Sequence, residues 1–194
     1  MRTAFFGGSF NPPHVAHQMV CLHVLETAAV DRVLWVPVGQ HPFAKDVAPF
    51  ADRFEMCRLA AARFGAAAVV SRVEDELPTP SRTLVTLRHL MAASPAERFA
   101  LVIGTDILPE RDKWFGWDEI ERLCDVIVVG RAGYPAPGVP VELPRVSSSE
   151  IRARLARGEE VAGMVPASVL EYIRAHGLYG ARPPRTTGRG GSDG

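Results

Sequence analysis

Two histidines follow a turn rich in glycine and proline: Gly7-Gly8-Ser9-Phe10-Asn11-Pro12-Pro13-His14-Val15-Ala16-His17. Arg2–Phe6 reads as a buried strand that runs into this turn, and helical spacing begins at His14. Glycines let backbone come close to a ligand, and exposed amides in such a turn favour phosphate. The positive end of the following helix adds to the same spot. At a separation of three residues, His14 and His17 share one face of the first helical turn. Imidazoles beside phosphate-seeking amides suit stabilisation of charge on a transferring phosphoryl group. The pattern is neither GxxxxGK[ST] nor GxGxxG, so the P-loop and dinucleotide fingerprints do not apply. A tight turn carrying two surface histidines is the plainer reading of the same residues. His14, His17 and Cys21 also stand at i, i+3 and i+7, but no nearby acid completes a zinc site. Cys21 therefore reads as a small buried apolar residue, and no metal-ligating set is assigned.

A second cluster lies near the other end, at Val146-Ser147-Ser148-Ser149-Glu150-Ile151-Arg152. Hydroxyls at a helix start can cap it and leave backbone amides for an anion. Arg152 follows one turn later and can reach the same place as a charge-assisted donor. Taken alone, the segment is also an ordinary capped helix with a solvated arginine.

Such residues need a scaffold, and the chain supplies one by alternation. Strand-like runs occur at Arg2–Phe6, Arg32–Pro37, Ala67–Ser71, Phe99–Gly104 and Asp125–Gly130. Helical patterns fall at His14–Ala29, Phe50–Phe64, Ser81–Ala93, Ser148–Arg157 and Ala167–His176, with Gly177 ending the last. FALVIG and DVIVVG are nearly continuous apolar runs, the mark of strands covered on both faces. The pattern predicts an α/β fold: one domain, residues 1–180, with a doubly wound, Rossmann-like, mostly parallel sheet and helices on both faces. Ligands in such folds bind at the carboxyl ends of the strands, where the Gly7–Pro13 turn belongs. ARPPRTTGRGGSDG, residues 181–194, has too little apolar surface to offset its ordering entropy and reads as a disordered tail.

Composition narrows the ligand class. The 194 residues hold 22 Lys+Arg against 22 Asp+Glu, so net charge is zero. That excludes a surface that grips nucleic acid or an anionic membrane as a whole, and any anion site must be local. Three scattered cysteines suit a reducing compartment better than a disulfide framework. No apolar run is long enough to cross a bilayer, and the N-terminus lacks a signal-peptide pattern. A cytoplasmic protein is expected.

GGSFNPPHVAH resembles the (H/T)xGH signature of the nucleotidyltransferase α/β-phosphodiesterase superfamily, and SSSEIR resembles its ISSTxIR signature, in the same order. More narrowly, residues 1–180 resemble the bacterial nicotinate-nucleotide adenylyltransferases. VPVGQHPFAK, RFEMCRLA, ELPTPSRTLVTL, IGTDILPERDKWFGW, VVGRAGY and VPASVLEYIRAHGLYG support this in register. The resemblance implies ATP and nicotinate mononucleotide as substrates, with Mg²⁺ accompanying ATP. It implies that His14, His17 and Arg152 are catalytic. Amides of Gly8, Ser9 and Phe10 would hold phosphates, and Ser148 and Arg152 the leaving β- and γ-phosphates. Gly104 and Asp106 would bind the adenosine ribose. Ser9, Asn11, Lys45, Thr83, Leu84, Trp114 and Phe115 would bind the mononucleotide, Trp114 stacking on the pyridine ring. Ala16 stands where the signature has glycine and adds a methyl close to the phosphates. Three alternatives remain open: nicotinamide mononucleotide as acceptor, phosphopantetheine as acceptor, or a catalytically weakened nucleotide-binding protein.

Overall fold

In the computed structural model, residues 1–39, 47–80 and 82–181 are described. Six strands form one sheet: β1 (Arg2–Gly8), β2 (Arg32–Pro37), β3 (Ala68–Val70), β4 (Arg98–Gly104), β5 (Asp125–Arg131) and β6 (Glu142–Leu143). Their order is β3-β2-β1-β4-β5-β6, and every neighbouring pair is parallel. β1 is central, paired with β2 from Thr3↔Arg32 to Gly8↔Pro37 and with β4 from Arg2↔Arg98 to Phe5↔Leu101. The chain leaves β1 toward one edge and returns to β4 on the other side. Between these strands lies the switch point where doubly wound folds hold ligands.

Side chains alternate across the sheet, and the alternation builds two cores. Phe6, Trp35 and Val102 face one layer, where they meet α1 (Val15–Thr27), α2 (Phe50–Ala61), α6 (Ser148–Ala156) and α7 (Ala167–Ala175) through Val24, Met56, Ile151 and Ile173. Phe5, Leu34, Leu101 and Ile103 face the other, against α3 (Val73–Glu76), α4 (Thr83–Ala93) and α5 (Trp117–Leu123) through Val73, Leu87 and Ile120. Both faces are covered, which is why FALVIG reads as one apolar run rather than an alternating one.

Several boundaries differ from expectation for local reasons. β1 continues to Gly8, so the strand itself carries the first glycines of the turn. The helix expected at Phe50–Phe64 becomes α2 followed by a 3₁₀ stretch, Ala62–Ala67, broken by Gly65 at φ 56°. Edge strand β3 keeps only three residues. α4 has Arg82 at its N-cap; Ser81, where the helical pattern starts, lies outside the described residues. Ala181, the first residue of the expected tail, is buried, and residues 182–194 lie outside the described residues.

Candidate active site

The carboxyl ends of β1, β4 and β5 open onto a cavity of about 250 Å³. His14 and His17 form part of one wall, with Ala16 between them in sequence; Asp106, Arg131 and Trp114 also line it. The two imidazoles stack with centroids 3.7 Å apart and planes inclined by 20°. α1 begins at Val15 with His14 as its N-cap, so the pair sits where the helix has donors to spare. The His14 backbone N–H donates to His17 Nδ1 at 3.0 Å. A neutral His17 ring must then carry its proton on Nε2, ready to donate. His14 Nδ1 is buried with no hydrogen-bond partner among the described residues. Leaving such an atom unmet costs about 1–3 kcal/mol, which a ligand or water would recover.

Both rings are held neutral. Burial first, and the Arg131 charge second, bring His14 from 6.5 down to about 4. Burial also pushes His17 well below its usual value, with His14 and Arg131 adding to the effect. In the absence of anions the pair therefore offers hydrogen-bond donors rather than positive charge at neutral pH. This sharpens the role expected from sequence, which treated the histidines as charge stabilisers.

The turn before the pair is tightly constrained. Phe10 has φ 44°, rare for an aromatic residue, and is 1% exposed. Its ring stacks on Trp35 at 5.2 Å and meets Phe6 and His17 edge-on. A side chain at Gly8 would approach that ring within 3.1 Å, so glycine lets strand and turn close together. Ser9 stays exposed.

Asn11 is buried and locks the turn to distant segments. Its Oδ1 accepts from the Ala48 N–H at 3.1 Å and the Tyr179 hydroxyl at 2.8 Å. Its carbonyl accepts from Arg152 Nη1 at 2.9 Å, while Ser148 Oγ donates to the Pro12 carbonyl at 3.0 Å. The two clusters singled out in the sequence thus touch directly. Ser147 caps α6 by accepting from the Glu150 N–H. Arg152 lines a second, more open hollow of about 550 Å³ together with Ser149 and Tyr179.

Gly104 ends β4 beneath the Asp106 carboxylate, which occupies the space a Cβ would need. Asp106 is paired with Arg131, which sequence reasoning left without a role. Its signal was position alone: the VVGR run ends at the carboxyl edge of the sheet. Thr83 and Leu84 open α4, whose first amides lack intrahelical acceptors. Leu84 packs beneath Gly116, and the Arg82 guanidinium lies 4.3 Å from the Phe115 ring centroid. Trp114, edge-on to Trp117, joins this corner to the main cavity, whereas Phe115 is 55% exposed. Glu74 was missed: it is buried, accepting from the Thr86 hydroxyl and the Gly39 N–H. Lys45 lies outside the described residues.

Fold and site together define a class, the doubly wound α/β proteins that bind phosphorylated ligands at the switch point. The chain belongs to the cytidylyltransferase-like family, whose model matches residues 5–154. It is 53% identical over 180 residues to the "probable nicotinate-nucleotide adenylyltransferase" of Anaeromyxobacter dehalogenans strain 2CP-1, covering 91% of this chain and 95% of that protein. A Myxococcus xanthus protein of the same name is 44% identical over 185 residues, covering 94% and 96%. In three dimensions the chain matches the nicotinic acid mononucleotide adenylyltransferase of Plasmodium falciparum, solved with NaAD, at TM-score 0.80 and 17% identity. That match covers 93% of this chain and 98% of the other and bears on the fold.

Proposed function

We propose that this protein transfers the adenylyl group of ATP to nicotinate mononucleotide, giving nicotinate adenine dinucleotide and pyrophosphate. The observation that carries the reading is the stacked His14–His17 pair on the wall of the switch-point cavity, in a chain whose relatives bear that activity in their names. An oxygen of the mononucleotide 5′-phosphate attacks the α-phosphorus of ATP in line. The bond from that phosphorus to the β-phosphate bridging oxygen breaks, and pyrophosphate leaves with the electron pair. The attacking phosphate is already anionic near neutrality, so no general base takes part.

Catalysis is then positioning and charge stabilisation. His17 Nε2–H donates to the triphosphate, and His14 lies against it. The phosphates' negative charge favours protonation of both rings, reversing part of their depression as substrate enters. Amides of Gly8, Ser9 and Phe10 hold phosphate oxygens, and Ser148 and Arg152 take the leaving pyrophosphate. Gly104 and Asp106 receive the ribose, Asp106 exchanging its Arg131 contact for sugar hydroxyls. Thr83 and the Leu84 amide meet the nicotinate carboxylate at the α4 N-terminus, which favours an anion over a neutral amide. Trp114 stacks on the pyridine, with Phe115 beside it. Ser9, Asn11 and Lys45 complete our assignment of the mononucleotide site; Asn11 acts there by shaping the turn.

The divalent cation enters as part of the substrate, and we assign it as Mg²⁺ bound to ATP. Among the described residues no group of three or more His, Cys, Asp or Glu is arranged to hold a metal. Free buried cysteines support a reducing compartment, and we place the protein in the cytoplasm. No described helix is long and apolar enough to cross a membrane.

Incubation with ATP, Mg²⁺ and nicotinate mononucleotide should yield the dinucleotide and pyrophosphate in equal amounts, separable by anion-exchange chromatography. AMP in place of dinucleotide, or no turnover, would contradict the proposal.

A further inference from the structure

Among the described residues Arg53 is the sole arginine in the set of buried polar and charged side chains, 2% exposed at the end of the first turn of α2. Its partners are not carboxylates. Nε donates to the Ala48 carbonyl at 2.9 Å, and Nη1 donates to the carbonyls of Ser9 at 3.1 Å and Val38 at 2.7 Å. Nη2 donates to the Gly39 carbonyl at 2.8 Å. Among the described residues it has no ion pair within salt-bridge distance. Four carbonyls and the Phe50 ring, whose centroid lies 5.5 Å from Arg53 Cζ, supply no counter-charge, so burying the guanidinium there is expensive, and burial lowers its proton affinity. Simple stability would be served better by an apolar residue of similar volume.

The geometry shows what the arginine accomplishes. The Ser9–Phe10 peptide is not among the cis bonds, so its C=O and N–H point in opposite directions. With the Ser9 carbonyl drawn onto Arg53, the Phe10 N–H is turned away from the guanidinium. Phe10 itself is held at φ 44° by a ring wedged among Phe6, Trp35 and His17, so the peptide has little freedom to rotate back. The same guanidinium gathers Val38 and Gly39 at the end of β2, and Ala48, whose N–H in turn binds Asn11. One buried cation therefore fixes three separate stretches of backbone around the turn.

We propose that Arg53 is a positioning residue for adenylyl transfer: it aims the Phe10 amide at the substrate phosphate and sets a buried positive charge beneath the phosphate-binding turn. This rests on the assignment of that turn to phosphate. Arg53 touches neither substrate, and it acts through the peptide it orients and through its field. Its effect therefore falls on the charged parts of the ligands and spares the uncharged parts.

Arg53→Lys keeps the charge but cannot present four donors in a fixed plane; Arg53→Met keeps the volume and loses both. Each is assayed for pyrophosphate binding and adenosine binding by calorimetry, and for kcat and KM with ATP and nicotinate mononucleotide. For Arg53→Lys the expected result is pyrophosphate affinity reduced about tenfold and kcat reduced about tenfold or more, with adenosine affinity within about twofold of wild type. Arg53→Met should lose more on pyrophosphate than Arg53→Lys. General structural damage would weaken adenosine binding in parallel, and that outcome overturns the proposal, as does a lysine variant with unchanged pyrophosphate affinity and kcat. If neither variant folds, the Phe10 amide resonance of the wild-type protein decides: pyrophosphate should shift it downfield, and an unmoved resonance refutes the aim assigned to it. Wild-type protein that binds no pyrophosphate at all would instead overturn the assignment of the turn.

Discussion

His14 should make the protein acid-sensitive by a calculable amount. In an unfolded chain the imidazole titrates near 6.5, whereas in the fold burial and Arg131 hold it down to about 4. Above pH 6.5 both states are neutral and the difference has no effect. Below it the unfolded chain binds a proton that the fold refuses, so stability falls with pH until about pH 4, where the fold also accepts one. The span from 6.5 to about 4 corresponds to roughly 3 kcal/mol at full expression, and to about 2.5 kcal/mol at about pH 4.5. At 5% exposure, solvent screening discounts this little. His14→Gln removes the titration while keeping a polar side chain. Urea unfolding followed by tryptophan fluorescence, at about pH 8 and about pH 4.5, gives each protein's loss on acidification, and carboxylates common to both cancel. The wild type should lose about 2.5 kcal/mol more than the variant, or about 1 M in urea midpoint at a slope of about 2 kcal/mol/M. Parallel losses in the two proteins would refute the claim that the fold holds His14 neutral.

Other expectations test single residues. His17→Ala should reduce kcat by about 10²–10³-fold, because a donor aimed at developing charge is lost, and should destabilise the fold by about 1–3 kcal/mol, because the His14 N–H loses its acceptor and Phe10 a packing partner; near-wild-type turnover removes His17 from the mechanism. Trp114→Ala should raise KM for nicotinate mononucleotide by about tenfold while leaving KM for ATP within about twofold, since stacking on one ring is lost. Equal changes in both constants would contradict the stacking role. Ala16→Gly, which removes a methyl from the cavity wall, should lower KM for ATP severalfold and destabilise α1 by about 0.5–1 kcal/mol. Unchanged ATP kinetics would show that the methyl lies away from the phosphates.

The parallel sheet was legible because FALVIG is buried on both faces and DVIVVG is half-buried or better along its apolar run, so neither alternates. The turn and both histidines were legible because glycines, prolines and histidines stand next to one another in the chain. What escaped the sequence depends on long-range contacts or on brevity. β6 has two residues and α3 has four, too few for any period to show. Asn11 reads as a ligand residue until the fold brings up the Tyr179 hydroxyl, 168 residues away, and the Ala48 amide. Asp106 reads as an open acceptor, yet Arg131 reaches it from a different strand. Arg53 sits on a helix where arginine is commonplace; only folding shows that its stem points inward to four carbonyls. The charge state of the histidines was likewise hidden, because it follows from burial.

The central claim is adenylyl transfer to an acidic pyridine mononucleotide. It is tested most directly by pyrophosphate release with ATP and, in turn, nicotinate mononucleotide, nicotinamide mononucleotide and phosphopantetheine. The site predicts rapid release with the nicotinate form, weak release with the neutral amide, and none with phosphopantetheine, which has no ring for Trp114. Release that favours either of the other acceptors, or tight nucleotide binding without any release, would contradict it.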